Sequence, residues 1–489
     1  MSIQKPAALR VAALIMLSAL LSPPAADAKG DLKESVVKIY TVSNRHDYAR
    51  PWQMQGQSSS TGSGSIIGDK RVLTSAHVVA DHTFVQVERA GQAKKYVAQV
   101  EIIGHESDLA ILRVEDAAFF EGTEPLRIGD LPEIRDKVAT YGFPTGGTKL
   151  AITEGVVSRV ENLEYSHSSA YLLCCQIDAP INPGSSGGPV MAGDRIVGVA
   201  FQGISSGQDI GYMVPPPVIQ HFLEDIKDGK HDGTPALVIS VETLENPDIR
   251  KKCLMAEDMT GVLVTKVHPK SPAIGHLEQE DVVLKIDGFD VENDGTVEFR
   301  KGERTFLSYA VQRRQIGETV PVAVLRKGEV KTVEIPLTVP LNTLNVVPRQ
   351  QFETPPTYYI VGGFVFCPAT ANLLQAMGGY LHRDVHMYYF EESLEDRDQV
   401  IAIISVLSDE VNVGYQNWQY TPVKTVNGKQ IRNIHDVVEA IESNTEEFHR
   451  VDTESDQVVI LSREKAKEGG DRILERYKIA SDRSKDLEK

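Results

Sequence analysis

Three short segments carry side chains that nucleophilic serine catalysis requires. His77 lies in Thr-Ser-Ala-His-Val-Val, Asp108 in Ser-Asp-Leu-Ala-Ile-Leu, and Ser186 in Asn-Pro-Gly-Ser-Ser-Gly-Gly-Pro. A serine hydroxyl is a poor nucleophile at neutral pH, because it needs an imidazole to accept its proton and a carboxylate to orient that imidazole. The three segments therefore predict acyl transfer, with Ser186 as nucleophile, His77 as general base and Asp108 as the group that orients the base.

The serine segment is the most specific of the three. A lone histidine or aspartate is more often structural than catalytic, and a glycine-rich turn has an equally plain structural reading. The glycines around Ser186, however, let the backbone turn sharply, so that the N–H groups of Gly184, Ser185 and Ser186 converge into an oxyanion hole. Losing one such donor typically lowers the rate by about 100- to 1000-fold. The order His, Asp, Ser is that of chymotrypsin and not the Ser-first order of the α/β-hydrolases.

Composition limits the kind of protein that holds these segments. The chain has 489 residues, which predicts about three domains at roughly 150 residues each. Hydrophobic residues make up 41% and charged residues 24%, as in an ordinary globular protein. The net charge of −17 argues against nucleic-acid binding, which needs a basic face. No His-Glu-x-x-His or Cys/His zinc spacing occurs, so we expect neither metal nor cofactor.

The N-terminus has the layout of a secretory signal. Lys5 and Arg10 precede the apolar run of residues 11–21, and Pro23-Pro24-Ala25-Ala26-Asp27-Ala28 follows it. The apolar run is too short to cross a bilayer unaided. We therefore predict cleavage after Ala28 and no stable membrane span afterwards, with an uncleaved anchor as the alternative.

The four cysteines leave two interpretations open. Cys174 and Cys175 are adjacent in an apolar run, where a strand would point them to opposite faces. Buried thiols are one interpretation, and a bridge from one of them to Cys253 or Cys367 is the other, since spacing alone does not decide pairing.

Short β-branched runs separated by glycine and polar turns extend from Glu34 to about Val214, which predicts an all-β barrel or sandwich. A linker is expected at residues 227–233. Beyond it lies a weak repeat of strand, glycine-bearing hairpin, helix and strands. Gly261-Val262-Leu263-Val264 begins the first copy and Gly363-Phe364-Val365-Phe366 the second, and this register gives the second copy a long insertion. The chain ends in a charged helix or tail.

Residues 29 to about 340 resemble the HtrA/Deg family of exported serine proteases. The matching motifs are Gly62-Ser63-Gly64-Ser65, Thr74 to Val79, Asp108 to Leu112, Tyr141-Gly142-Phe143-Pro144, Gly155-Val156-Val157-Ser158 and Asp178 to Val190. The resemblance implies a mainly β fold, in which a chymotrypsin-like double β-barrel is followed by two PDZ-like α+β domains. The expected boundaries are 1–28 for the signal, 29–232 for the protease, 233–340 for the first PDZ domain and 341–489 for a degenerate second one with a charged tail. The tandem arrangement is most similar to the plant-type Deg branch.

The resemblance also implies two binding regions. One is an apolar specificity pocket for small or medium aliphatic side chains, with barrel core as the alternative; its residues would be Ile210, Gly211, Tyr212 and Met213. The other is a peptide groove in the first PDZ domain, with an interdomain spacer as the alternative. Its residues would be Thr260, Gly261, Val262, Val264, Leu307 and Val311, with an added strand pairing along Val262 to Val264.

These observations favour an ATP-independent endopeptidase that acts on misfolded or selected proteins and peptides. The family resemblance implies a homotrimer or a multiple of trimers in an exported compartment, which is the periplasm in a two-membrane bacterium. One alternative is a chaperone or PDZ scaffold with secondary or latent proteolysis. Another is a signalling protease with a single native target.

Overall fold

The computed structural model describes residues 1–2, 32–145, 147–203, 210–378, 388 and 397–488. The fold is mainly β and consists mostly of short antiparallel strands, as the β-branched runs predict. The predicted signal, residues 1–28, lies outside the described residues except for Met1 and Ser2. In the described part of the chain, no helix is long and apolar enough to span a bilayer.

The first unit is a closed barrel of six strands in the order β1-β2-β3-β6-β5-β4. Its elements are a 3-10 helix at Leu32–Ser35, β1 Val36–His46, β2 Met54–Ile67, β3 Arg71–Thr74, α1 Ala76–Val79, β4 His82–Arg89, β5 Lys95–Gly104, β6 Leu109–Arg113 and a 3-10 helix at Ala117–Phe120. Alternate side chains point inward, so that Val37 and Ile39 of β1 share a core with Val85 and Val87 of β4. Closure of the barrel leaves no unpaired sheet edge.

The second unit is also a barrel. Its strands are β7 Arg127–Ile128, β8 Lys137–Gly142, β9 Ala151–Glu164, β10 Tyr171–Ile177, β11 Pro189–Ala192, β12 Arg195–Gly203 and β13 Gly211–Val214. Because β11 pairs with both β8 and β12, strands β8 to β13 close into a ring, and β7 lies outside it beside β12. Cys174 and Cys175 of β10 belong to different core clusters, as their adjacency predicts. All four cysteines are free, so the alternative of a disulfide bridge is wrong.

A helix and a short linker connect the barrels to the next unit. Helix α2 spans Pro216–Asp225 and is followed by a 3-10 helix at Ile226–Asp228. His231, in the predicted linker, lies 3.0 Å from Glu106 Oε1 and 3.6 Å from Asp225 Oδ2. Burial opposes protonation of His231, but the two carboxylates outweigh it and raise its pKa. The linker is therefore fastened to the protease unit by a charged contact.

The third unit has a sheet in the order β14-β15-β16-β20-β21. Its elements are β14 Ile239–Thr243, α3 Pro247–Lys252, β15 Val262–Val267, β16 Val282–Ile286, β17 Phe289–Asp290, β18 Thr296–Arg300, β19 Glu303–Phe306, α4 Ser308–Gln312, β20 Thr319–Arg326 and β21 Glu329–Pro336. Helix α4 contacts the second barrel, where Gln312 Nε2 donates to the Tyr171 carbonyl at 2.9 Å and Asn162 Nδ2 donates to Ser308 Oγ at 3.2 Å.

The fourth unit repeats this arrangement with an additional strand at its edge, in the order β22-β23-β24-β25-β27-β28. Its elements are β22 Tyr359–Val361, β23 Phe364–Pro368, α5 Ala371–Ala376, β24 Ile401–Val406, a 3-10 helix at Glu410–Asn412, β25 Thr421–Val426, β26 Lys429–Gln430, α6 Ile434–Glu442, β27 Phe448–Thr453, β28 Val458–Ser462, α7 Arg463–Tyr477 and a 3-10 helix at Lys485–Leu487. The predicted terminal helix is therefore present as α7.

The register predicted for the repeat is partly wrong. The hairpins correspond as expected, since Asp287-Gly288 and Asn427-Gly428 both form two-residue turns with positive φ. The strands before them do not correspond in the predicted way. By sheet order, β23 is equivalent to β14, and β24 is equivalent to β15, which begins at Val262. The strands β15 and β23 look alike in the sequence because each follows a glycine and begins with apolar residues, but β23 lies one place further from its hairpin strand, β25, than β15 does from β16.

We predict that His231→Gln destabilises the protein more at pH 6 than at pH 8.5. A histidine whose folded pKa lies above its ordinary value of 6.5 stabilises the fold below that value, and this stabilisation is lost as pH rises through the folded pKa. A charge-assisted contact of this kind contributes about 1–3 kcal/mol. Thermal unfolding at both pH values measures the difference. His435→Gln, on the exposed face of α6, is the control, and equal losses at the two pH values would contradict the prediction.

Candidate active site

The first barrel places Asp108 against His77. Helix α1 carries His77 directly after β3, and the turn between β5 and β6 carries Asp108, with φ 52. Aspartate is one of the few residues besides glycine that tolerate this left-handed conformation. Asp108 Oδ2 lies 2.7 Å from His77 Nδ1, and Asp108 Oδ1 accepts a 2.9 Å bond from the His77 amide. The carboxylate thus fixes both the backbone and the ring of His77.

Burial and charge act in opposite directions on this pair. Burial disfavours the charged forms of both groups, but the attraction between them and their hydrogen bonds outweigh it. The pKa of His77 is therefore raised above 6.5, and the pKa of Asp108 is lowered. The Asp108 side chain is fully buried, whereas 32% of the His77 side chain is exposed. The imidazole can therefore take up a proton beside a permanent carboxylate charge and still reach a substrate.

The serine segment lies between the two barrels. Ser63 of β2 donates its amide to the Ser186 carbonyl at 2.8 Å, and the Gly187 amide donates to the Ala200 carbonyl of β12 at 2.7 Å. Gly187 has φ 82, and an added Cβ would overlap Thr74 Oγ1 and the Ser63 carbonyl. Only glycine fits there, so the segment packs directly against the strand that leads to His77. Among the described residues, the Ser186 hydroxyl makes no hydrogen bond.

The predicted oxyanion hole needs one correction. The Ser185 amide donates to the Asn182 carbonyl at 2.9 Å and is therefore not free to bind an oxyanion. The amides of Gly184 and Ser186 have no acceptor in the part of the chain that the structure describes. Gly184 has φ 95, which helps to form the turn between these two amides. A hole with two donors therefore remains as the prediction.

Ser63 has a positioning role that the sequence motif alone did not reveal. Its fully buried hydroxyl accepts a 2.9 Å bond from the Phe143 amide and donates a 2.7 Å bond to the Gly184 carbonyl. Its own carbonyl accepts from Thr74 Oγ1 at 2.7 Å. One residue thereby joins the Gly184 turn, the Phe143 loop and the strand before His77. The Gly-Ser-Gly-Ser motif was a signal for it, but only the tertiary contacts show which of the two serines acts.

The predicted specificity-pocket residues lie mainly in the second barrel. Tyr212 and Met213 are 2% and 0% exposed and belong to its core, as in the alternative interpretation. Ile210 is partly buried against the same core. Gly211 lies so close to Ile181 that an added side chain would clash with it. A pocket formed by Ile210 and Gly211 is still compatible with these positions and stays a prediction.

The predicted strand addition in the first PDZ-like unit is wrong. Strand β15 already pairs with β14 on one side and β16 on the other, so no peptide can pair along Val262 to Val264. Thr260 Oγ1 donates to the Val291 carbonyl, and the Gly261 amide donates to Asn293 Oδ1. The Thr260 hydroxyl and the Gly261 amide therefore already donate hydrogen bonds within the unit and are not free to bind a peptide carboxylate.

The other predicted groove residues of this unit are buried in its core, and their role in a groove stays a prediction. Its core cluster contains Val262, Val264, Leu307 and Val311. On the β15 side of the sheet the free edge lies instead along β14, which has no second strand partner among the described residues.

Comparison with known proteins agrees with this architecture. A trypsin-like peptidase domain family matches residues 62–199, and two PDZ domain families match residues 235–337 and 347–486. The chain is 40% identical over 448 residues to Protease Do-like 4, mitochondrial, of Arabidopsis thaliana, covering 91% of this chain and 84% of that protein. It is 38% identical over 462 residues to Protease Do-like 2, chloroplastic, of the same plant, covering 93% and 75%.

A more distant relative and a solved structure complete the comparison. The chain is 26% identical to the Serine protease DegP homolog of Plasmodium falciparum, covering 84% of this chain and 58% of that protein. A structure of a variant of the HtrA-type protease AlgW with decapeptide aligns with a TM-score of 0.51 at 22% identity. That alignment covers 63% of this chain and 96% of the other and bears on the fold alone.

The two barrels have the serine segment between them, and two PDZ domains follow them in the chain. This arrangement defines a serine endopeptidase of trypsin-like fold. The chain belongs to the Deg/HtrA family of Do-like proteases, in its plant-type Deg branch.

We predict that Asp108→Asn lowers kcat/KM by about 10⁴-fold, because the amide favours the wrong imidazole tautomer and cannot stabilise the imidazolium. The residual activity should titrate at a lower pH than that of the parent protein. A general base works in its neutral form, so activity falls as pH falls through its pKa, and the Asp108 charge is what raises the pKa of His77.

The pH dependence of kcat/KM for peptide hydrolysis measures both effects. Asp116→Asn, an exposed change on the same barrel, should leave the profile unchanged. An unshifted midpoint in Asp108→Asn would show that this carboxylate does not set the titration.

We predict that Ser63→Ala lowers kcat by about 10- to 100-fold with a smaller change in KM, because the Gly184 turn loses its hydrogen bond. A buried donor or acceptor without a partner also costs about 1–3 kcal/mol of stability. Ser65→Ala is a matched control, since Ser65 is fully buried on the same face of β2 and its hydroxyl has no partner among the described residues. Steady-state kinetics and thermal unfolding of both variants make the comparison, and equal kcat values would contradict the positioning role.

Proposed function

We propose that the protein is an ATP-independent endopeptidase that hydrolyses peptide bonds through Ser186. Ser186 Oγ attacks the scissile carbonyl carbon while His77 accepts the hydroxyl proton, and the Gly184 and Ser186 amides hold the oxyanion. The C–N bond then breaks as His77 returns the proton to the departing amine. Water releases the acyl group by the same steps. The observation that carries the proposal is the hydrogen-bonded His77–Asp108 pair, whose histidine directly follows β3, the strand against which the Ser186 segment packs.

Protein and peptide chains are the proposed substrates, and the first PDZ domain is the proposed tether. Strand β14 offers hydrogen-bonding groups along its outer edge, where an extended peptide can add. In the second PDZ domain the equivalent strand, β23, is already covered by β22. We therefore assign peptide capture to Ile239–Thr243 and an architectural use to the second domain.

An exported location and assembly as a homotrimer, or a multiple of trimers, belong to the same proposal. The N-terminal apolar run with alanines before the expected cleavage position supports export. The similar Arabidopsis proteases are named mitochondrial and chloroplastic, which supports an organellar or exported location. In a bacterium with two membranes, the corresponding compartment is the periplasm.

Hydrolysis of unfolded casein by the chain from residue 29 onward tests the proposal. We expect proteolysis without added nucleotide, and loss of at least about 10³-fold in Ser186→Ala, because the nucleophile is removed. Reaction with a fluorophosphonate probe, which labels activated serines, reports the site independently of any substrate. Labelling without casein cleavage would favour a protease for one selected target, and neither labelling nor cleavage would refute the proposal.

A further inference from the structure

The segment between the two PDZ domains returns to the protease unit and places an aromatic ring near His77. Phe352 lies between β21 and β22 and is 9% exposed. Its ring stacks on His105 at 4.5 Å between centroids and on His167 at 4.1 Å, with interplanar angles of 24° and 23°. The two imidazoles lie side by side, and the chain's own phenylalanine stacks across both of them.

Both His105 and His167 adjoin the predicted catalytic pair. The His167 ring lies 6.1 Å from the His77 ring, and the His105 carbonyl accepts the Asp108 amide. His105 Nδ1 and His167 Nε2 are 2.9 Å apart and share one hydrogen bond. The two rings are therefore fixed to each other and to the turn that presents Asp108.

The two imidazoles favour a planar aromatic group as their ligand. Burial lowers the pKa of His167 to about 4, so that this ring is neutral at physiological pH. The two imidazoles, tilted by 42° to each other, offer aromatic faces that attract an aromatic ring in stacked geometry. An aliphatic side chain would fill the same volume without this stacking.

Phe352 is held in place by polar contacts of the two residues that follow it. Glu353 Oε2 accepts from His105 Nε2 at 2.8 Å, and Glu353 Oε1 accepts from the Asp81 amide at 2.6 Å. The Glu353 amide donates to Asp81 Oδ1 at 2.8 Å, and the Thr354 carbonyl accepts from the Tyr48 hydroxyl at 3.0 Å. Glu353 is about one-third exposed, so these bonds lie where water can compete for them. The segment thus binds as a peptide ligand would, through the buried ring of Phe352 and the hydrogen bonds of Glu353 and Thr354.

We propose that His105 and His167 form a binding site for an aromatic side chain of the substrate, and that Phe352 occupies this site until substrate displaces it. This inference rests on the proposed function, because it assigns a specificity-determining site beside the same Ser186. It also makes the segment between the PDZ domains an internal competitor of substrate.

Fluorogenic peptides test the site. Each carries one phenylalanine at one of four positions on the N-terminal side of the scissile bond, in an otherwise alanine and valine background. In Phe352→Ala we expect KM to fall about tenfold for one of these peptides, as removal of a buried aromatic competitor implies, and to stay constant for the peptide without phenylalanine. Phe352→Leu, which keeps apolar volume but cannot stack as a ring, should show a smaller fall. Phe448→Ala, which removes an exposed phenylalanine from β27, should change nothing.

A synthetic peptide with the sequence of residues 348–357 provides a second measurement. It should inhibit Phe352→Ala competitively, and the same peptide with alanine in place of its phenylalanine should not. Equal KM values in Phe352→Ala and the parent chain, or equal inhibition by the two peptides, would overturn the inference while fluorophosphonate labelling of Ser186 stays intact. Absence of that labelling in every variant would overturn the proposed function, and this inference with it.

Discussion

The buried carboxylate of Asp108 is the constraint on which the site depends. A buried charge without a partner costs several kcal/mol, so the fold must supply hydrogen-bond donors to it. Both donors come from His77, through its amide and its ring. They can reach Asp108 only because β3 and β6 are neighbours in the closed first barrel. The pairing of β3 with β6 thus brings His77 to the buried carboxylate, and the carboxylate in turn orients the imidazole.

The second barrel contributes the serine, and Ser63 connects the two barrels. A strand of the first barrel, β2, bonds through Ser63 to the Ser186 carbonyl, the Gly184 carbonyl and the Phe143 amide. The nucleophile is therefore positioned by neighbours from both units, whereas the His77–Asp108 pair belongs wholly to one. A shift between the barrels would move Ser186 relative to His77 without breaking that pair. Catalysis therefore requires that the two barrels be aligned with each other, in addition to the folding of each barrel.

The sequence predicted most of the architecture, because this depends on local patterns, and of the predicted reactive side chains the structure places His77 and Asp108 in contact. The strand-rich barrels, the double glycine after Ser186, the opposed faces of Cys174 and Cys175, and helix α6 all follow from periodicity or backbone freedom. What it could not predict depends on tertiary neighbours. Ser63 and Ser65 are alike in sequence context, yet among the described residues the Ser63 hydroxyl has hydrogen-bond partners and the Ser65 hydroxyl has none. Which strand of a repeat lies at a sheet edge is also invisible locally, and this is why the register of the PDZ repeat was wrong.

The second PDZ domain shows how a shared fold can acquire another use. Its strand β22 fills the edge where a ligand strand would add, and the C-terminal segment then pairs with β22. In that segment the Asp482 carbonyl accepts from the Ile360 amide at 2.7 Å, and the buried Leu487 joins the core of α6.

The same domain also packs against the protease unit. The loop between β1 and β2 packs its Tyr48 and Trp52 against Tyr358, so apolar contacts run from the first barrel into the domain core. With its edge closed by its own chain, the domain can act on catalysis mainly through such contacts. Because Phe352 and Glu353 lie a few residues before β22, they form a direct link between this domain and the imidazoles beside His77.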